Sequence, residues 1–316
     1  MRLLKKTGWF CCLLTPLLLQ AEPAQPAAAD LPQAEVVKSV PRIATIDWTV
    51  AEILLALGVA PLAMGDVESY CAWVGEPTLP AEVVDIGLRM QPNRELLAEL
   101  KPDLILISPL MASLESTLSR IAPVQSIALY EPDADLWQRL YEATLTIAAL
   151  VNKTAEAERQ LAALERDLAR MKGQLPTDLP PLLVVQFIDE RHVRVFGRHS
   201  LFEAVMERLG LRNAWLGETN AWGFAVVSLE QFLALPEARL VVVDPVPVGV
   251  SERLQEPGLW QHLPLVKQGK VLHLPAVWSF GGLLAARRFA DLLSGALQGE
   301  IPSDPASHVT AEGATR

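Results

Sequence analysis

The stretch Thr154 to Gln174 contains no proline, and its one glycine, Gly173, stands next to the end. Leu161, Leu164, Leu168 and Met171 recur at steps of three and four, so one face of a helix would be apolar. The remainder is dense in Ala, Glu, Leu and Arg, and Asn152 or Thr154 can cap the start. Such a helix spans roughly 30 Å, the width of a small domain. In mid-chain it predicts a rigid strut between two folded lobes, because a flexible linker would be built from Gly, Ser or Pro.

On both sides of this helix the chain alternates short apolar runs with amphipathic stretches. Before it, strands are expected at 43–46, 61–64, 104–108 and 126–129, with helices at 50–57, 95–100 and 114–120. After it, the same grammar restarts at 182–187 and continues through 200–209, 229–234, 240–244 and 271–274. Alternation of this kind predicts an α/β fold, two Rossmann-like lobes with parallel sheets joined by one long helix. The expected boundaries are 41–152 for the first lobe, 153–175 for the connecting helix and 176–300 for the second lobe. At 316 residues the chain is long enough for each lobe to bury its own core. An internal echo relates the two: Asn93 precedes Glu95 and Ser228 precedes Glu230 by two positions, each before a short helix and a turn that feeds a buried strand.

The ends carry a different signal. Arg2, Lys5 and Lys6 precede a short apolar run at 9–19, and Ala21 supplies a small residue for cleavage. This predicts a secretory signal over 1–21 and a periplasmic destination. Residues 22–40 and 301–316 are small, polar and aperiodic, as expected of a leader and a tail. Trp9 and Phe10 stand before Cys11 where a lipidation site normally has small residues, so cleavage at Ala21 is expected to leave Cys71 without a disulfide partner. The net charge of -10 and the lack of a basic cluster beyond the first residues argue against a nucleic-acid partner.

Dinucleotide, P-loop, nucleophile-elbow and zincin motifs are all missing from the sequence, which argues against an enzyme. The five histidines are scattered, so direct ligation of a metal by the protein is not expected. Tryptophan is the informative residue. Trp48, Trp73, Trp222 and Trp278 fall in or beside turns at expected strand ends, where open α/β sheets bind ligands. Trp215 lies between that reading and the core, and for each of them a core role is the alternative. Trp137 and Trp260 are expected in the core. Arg89 follows Gly87 in a loop before a helix, where its planar guanidinium would suit clustered oxygens; a surface ion pair is the alternative.

Four segments together resemble the periplasmic ferric-hydroxamate binding proteins of the siderophore importers: VVDIGLR at 83–89, VFGRHSLF at 195–202, NAWLGETN at 213–220 and PAVW at 275–278. The likeness runs from about Arg42 to about Gln298. It implies a shallow aromatic cleft between the lobes, little hinge closure, and iron held by the siderophore, with no cofactor on the protein. By this resemblance Arg89 matches the arginine that hydrogen-bonds the hydroxamate oxygens, and Trp73, Trp222 and Trp278 match cleft walls. Met111 stands where the family places a ligand-contacting tyrosine, and Ser279 and Phe280 where relatives carry more aromatic or hydroxylated residues. In binding proteins of this fold a glutamate on each lobe pairs with arginines of the inner-membrane ABC permease, which implies docking roles for Glu95 and Glu230. Favourable charge near a helix start is their alternative.

A monomer is expected. The competing readings are another bulky chelate on the same fold (a catecholate siderophore, haem or a corrinoid) or a two-lobe oxidoreductase. Haem would favour a tyrosine or histidine in the cleft, and Tyr70 is the tyrosine expected near it.

Overall fold

The computed structural model describes residues 40–130 and 134–299. The expected signal, nearly all of the leader, and the tail therefore lie outside the described residues. The first half runs β1 (Ile43–Thr45), α1 (Trp48–Ala56), β2 (Ala63–Met64), α2 (Val67–Val74), β3 (Val84–Asp85), α3 (Arg94–Leu100), β4 (Leu104–Ile107), α4 (Glu115–Leu118), β5 (Val124–Ser126) and α5 (Leu136–Leu150). Then come α6 (Thr154–Gln174), β6 (Leu182–Phe187), β7 (His192–Phe196), α7 (Leu201–Leu209), β8 (Phe224–Ser228), β9 (Arg239–Val243), α8 (Val250–Gln255), α9 (Leu259–His262), α10 (Pro264–Lys267), β10 (Val271–Leu274) and α11 (Leu283–Gln298).

The first sheet has the order β3-β2-β1-β4-β5, with every pairing parallel. Its strand order reverses between β1 and β4, and ligands of open α/β sheets bind in the crevice beyond the strand ends at such a point. The second sheet, β10-β9-β6-β7-β8, is mixed: β9 is parallel to β6 and β10, whereas β6-β7 and β7-β8 are antiparallel.

Several local expectations change. The apolar run 126–129 is not a strand beyond Ser126. β4 ends at Ile107 and Pro109 follows, so after the bond from Ile127 N to Ile107 O the chain has no ladder left to join. The helix expected at 114–120 is a 3-10 turn over Pro109–Leu114 followed by the four residues of α4. Neither Asn152 nor Thr154 caps α6. Asn152 takes a left-handed conformation (φ 57°), and the turn closes through Lys153 N donating to Ala148 O at 2.7 Å. Asn93 does cap α3, accepting from Leu96 N, but Ser228 makes no such bond to the 3-10 turn Leu229–Ala234.

The helix α6 spans the expected residues, with Leu161, Leu164, Leu168 and Met171 buried. It is packed along its stripe against α5, α7 and α11. Those helices belong to one continuous apolar core, which also takes in Ile43, Met64 and Leu106 from the first sheet and Leu182, Val184, Val241 and Val243 from the second. Smaller clusters cover the opposite face of each sheet. All the described residues thus fall in a single compact unit.

Candidate functional site

A cavity of about 510 Å³ opens beyond the strand ends of the first sheet. Asp47 in the turn after β1 and Thr49 at the start of α1 line it, the turn after β4 contributes Ser108, Pro109 and Leu110, and the chain leaving β5 contributes Ile127, Leu129 and Tyr130. From the second half come Arg194 on β7, Trp222 and Phe224 at β8, and Trp278 and Phe280 beyond β10. The surface is mostly carbon. Trp278, Phe280, Trp222 and Tyr130 form one run of edge-to-face and tilted rings with neighbouring centroids 5.2, 5.7 and 5.8 Å apart.

Polar groups are concentrated on the β1 side. Asp47 begins α1: its Oδ1 accepts from Thr49 N and Val50 N, and its Oδ2 accepts from the Ser108 hydroxyl at 2.6 Å. Arg89 donates from Nε to Ile46 O at 3.0 Å and brings a terminal nitrogen to 3.7 Å from Asp47 Oδ2. Its guanidinium carbon lies 4.5 Å from the Trp48 ring and 5.9 Å from that of Trp278. Burial pulls Arg89 below its ordinary pKa, while Asp47 and Asp66 hold it up. The loop that presents Arg89 depends on two glycines. Gly87 adopts φ +79°, and a Cβ on Gly65 would come within 3.3 Å of the Arg89 Cα.

The wall beyond β10 is tied to the first half. The Thr49 hydroxyl donates to Phe280 O at 2.7 Å, Trp278 Nε1 donates to the Thr49 oxygen at 3.2 Å, and the Tyr130 hydroxyl donates to Gly281 O at 3.1 Å. Deeper in, Glu52 of α1 is fully buried and accepts from Gly282 N and Ala285 N at the start of α11.

The structure brings Arg89, Trp222, Trp278 and Phe280 together around this cavity. The other residues singled out from the sequence stand elsewhere. Trp48 is buried beneath the floor, with its Nε1 donating to Gly65 O and its ring edge-on to Trp278. Trp73 lies on α2 rather than in a loop, behind the guanidinium of Arg194. Met111 is 1% exposed in the apolar cluster under the first sheet, because the 3-10 turn directs Pro109 and Leu110 toward the cavity and Met111 inward. Trp215 packs against the second sheet, where the bare Cα atoms of Gly197 and Gly217 leave room for its indole. Tyr70 is also no cavity residue; it is fully buried and its hydroxyl donates to Pro77 O. Glu95 and Glu230 are both exposed at the starts of their helical turns.

Sequence reasoning missed Tyr130, Arg194, Phe224, Asp47 and Ser108. An acceptor side chain directly after β1, at the helix start facing the strand-order reversal, was a usable signal for Asp47.

The profile of the periplasmic binding protein family matches residues 43–277. The chain belongs to that family. As a periplasmic binding protein it is 36% identical over 289 residues to the iron(3+)-hydroxamate-binding protein FhuD of Escherichia coli, covering 91% of this chain and 94% of that relative. It is similar in structure to the Desferal-bound siderophore binding protein FhuD of Vibrio cholerae, with a TM-score of 0.79 at 29% identity over 84% of this chain and 100% of the other. The triscatecholate siderophore binding protein FeuA of Bacillus subtilis shares the fold, with a TM-score of 0.66 at 19% identity over 84% of this chain and 95% of its own. These relatives are named as binding proteins, and among the described residues no helix is long and apolar enough to cross a membrane.

Proposed function

We propose that the chain captures a ferric hydroxamate siderophore in the aromatic cavity and delivers it, in the periplasm, to an inner-membrane ABC permease. The observation that carries this reading is the pairing of a wide carbon surface with the Arg89 guanidinium held at its edge by Asp47 and Ile46 O. A siderophore that encloses its own iron presents carbon outside and a few oxygens at the metal. Rings suit the first and a planar fork of donors suits the second. The relatives named for iron(3+)-hydroxamate and Desferal support the same ligand class. Iron is then cargo, held by the siderophore. Glu95 and Glu230 would face basic residues of the permease.

The competing haem reading needs a tyrosine or histidine in the cavity, and Tyr130 lines it. However, Tyr130 donates its proton to Gly281 O, and burial, reinforced by Glu52 and Asp47, pushes its pKa well above the ordinary value. A phenolate ligand for haem iron needs the opposite shift.

Tryptophan fluorescence of the chain, titrated with ferrichrome, a ferric tricatecholate and haem, tests the reading. Saturable quenching by ferrichrome is expected, weakened about tenfold or more in Arg89→Ala, since a hydrogen bond from a charged donor is lost. Quenching by haem or the tricatecholate alone would refute it.

A further inference from the structure

Two arginines line the cavity, and their surroundings differ. Arg89 is countered by Asp47 and bonded to a carbonyl. Arg194, across the cavity on β7, has neither a hydrogen bond nor an ion pair from its side chain among the described residues; the rings of Phe224 and Trp73 lie 5.6 Å and 5.9 Å from its guanidinium carbon. Burial alone pulls its pKa down, with no neighbouring carboxylate to hold it up.

The β-ladder fixes that position. Val193 and Val195 are buried on one face of β7, so Arg194 is turned to the other face, opposite Val226 of β8. The two rings beside the guanidinium come from different halves, Trp73 from α2 and Phe224 from β8. The cavity wall carries two arginines, Arg89 and Arg194, against one carboxylate side chain, Asp47, in a chain whose net charge is -10.

An iron(III) centre bound by three hydroxamates is neutral, and Arg89 already serves its oxygens in the reading above. Such a chelate leaves the second guanidinium half-desolvated and unanswered. We propose that Arg194 makes this cleft favour hydroxamate chelates that carry a carboxylate outside the iron-binding groups over those that carry an ammonium. This inference rests on the hydroxamate reading and goes beyond it by naming the charge of the ligand and the residue that reads it.

Three chelates with one iron centre and different tails separate the two claims: ferrioxamine B, which bears a free ammonium, its N-acetyl derivative, which is neutral, and its N-succinyl derivative, which ends in a carboxylate. Each is titrated into the full chain at low ionic strength. The succinyl form is expected to bind tightest and the ammonium form weakest, about tenfold or more apart, the scale of one charge-assisted hydrogen bond. Added salt should narrow that gap, because the cleft is open to solvent.

In Arg194→Met, which keeps the stem, the three affinities should converge; Arg194→Gln serves if the methionine variant does not fold. Equal binding of all three to the unaltered chain, survival of the order in the variant, or an equal weakening of all three would overturn the proposal and leave the hydroxamate reading standing. Failure of all three to bind would remove the hydroxamate reading and this inference with it.

Discussion

Leu110 and Met111 are adjacent and equally apolar, yet the 3-10 turn sends Leu110 to the cavity, 53% exposed, and Met111 into the core at 1%. They should therefore respond oppositely to truncation. Met111→Ala is expected to lower unfolding stability by about 2–4 kcal/mol with siderophore affinity retained. Leu110→Ala should weaken binding and change stability by less than about 1 kcal/mol. Urea denaturation and fluorescence titration of both variants check this, and loss of binding in Met111→Ala at unchanged stability would contradict it. The sequence could not separate the two, since three residues per turn gives no long apolar stripe to read. Arg89 was legible because a glycine and a following helix start mark its loop. Trp215 and Trp222 were separable only in part, as both lie among Gly, Asn and Thr; what distinguishes them fully is the space left by Gly197 and Gly217, a tertiary fact. Tyr130 was hidden by the run before it, which reads as strand but loses its ladder at Ser126.

Among the elements, the long helix and the parallel strands β4, β6 and β9 were legible as apolar runs or stripes. The antiparallel pair β7-β8 was not, because β7 is five residues with an arginine at its centre, too short for alternation to stand out. The contact between α1 and α11 was equally invisible, although Glu52 is its centre. Close approach there requires Gly281, where a Cβ would sit 2.6 Å from Glu52 Oε2, and Gly282, whose N–H is one of the donors. Burial raises the Glu52 pKa from 4.5 to about 7, despite the N–H groups of Gly282 and Ala285 that pull it down. A carboxyl whose pKa is higher in the folded state contributes stability that is fully present below the unfolded value and is lost as pH rises through the folded one. Stability from this group should thus fall by about 3 kcal/mol between about pH 4.5 and a little above 7. In Glu52→Gln that component should vanish, so urea midpoints at about pH 5 and about pH 8 should lie closer together than in the unaltered chain. An unchanged gap would mean that Glu52 does not titrate in this range.

At the scale of the whole molecule, the apolar core passes without a break from the first sheet through α1, α5, α6, α7 and α11 to the second. Hinge motion between the sheets would have to part this packed layer, and the bonds from Thr49 and Tyr130 to the 280–281 backbone as well. A cleft held in this way is largely formed before the ligand arrives, so little ordering entropy is spent on closing it. On the proposed function, a permease would then recognise the chain by its surface and by the ligand rather than by a large change of shape. Glu95 and Glu230 fit that need because both are exposed, neither lines the cavity, and neither has an ion-pair partner among the described residues. The sequence echo exposed this pair, even though only Asn93 turned out to cap its helix. Charges on the rim of an interface act mainly on encounter and register. Replacing both with Ala should therefore leave chelate affinity in fluorescence titration unchanged while abolishing siderophore-dependent iron uptake by cells that carry the cognate permease. Each single variant should give a partial loss. Retained uptake in the double variant would return both glutamates to their simpler role as favourable charge beside a helix start, and loss of chelate affinity would show that they act on the cleft instead.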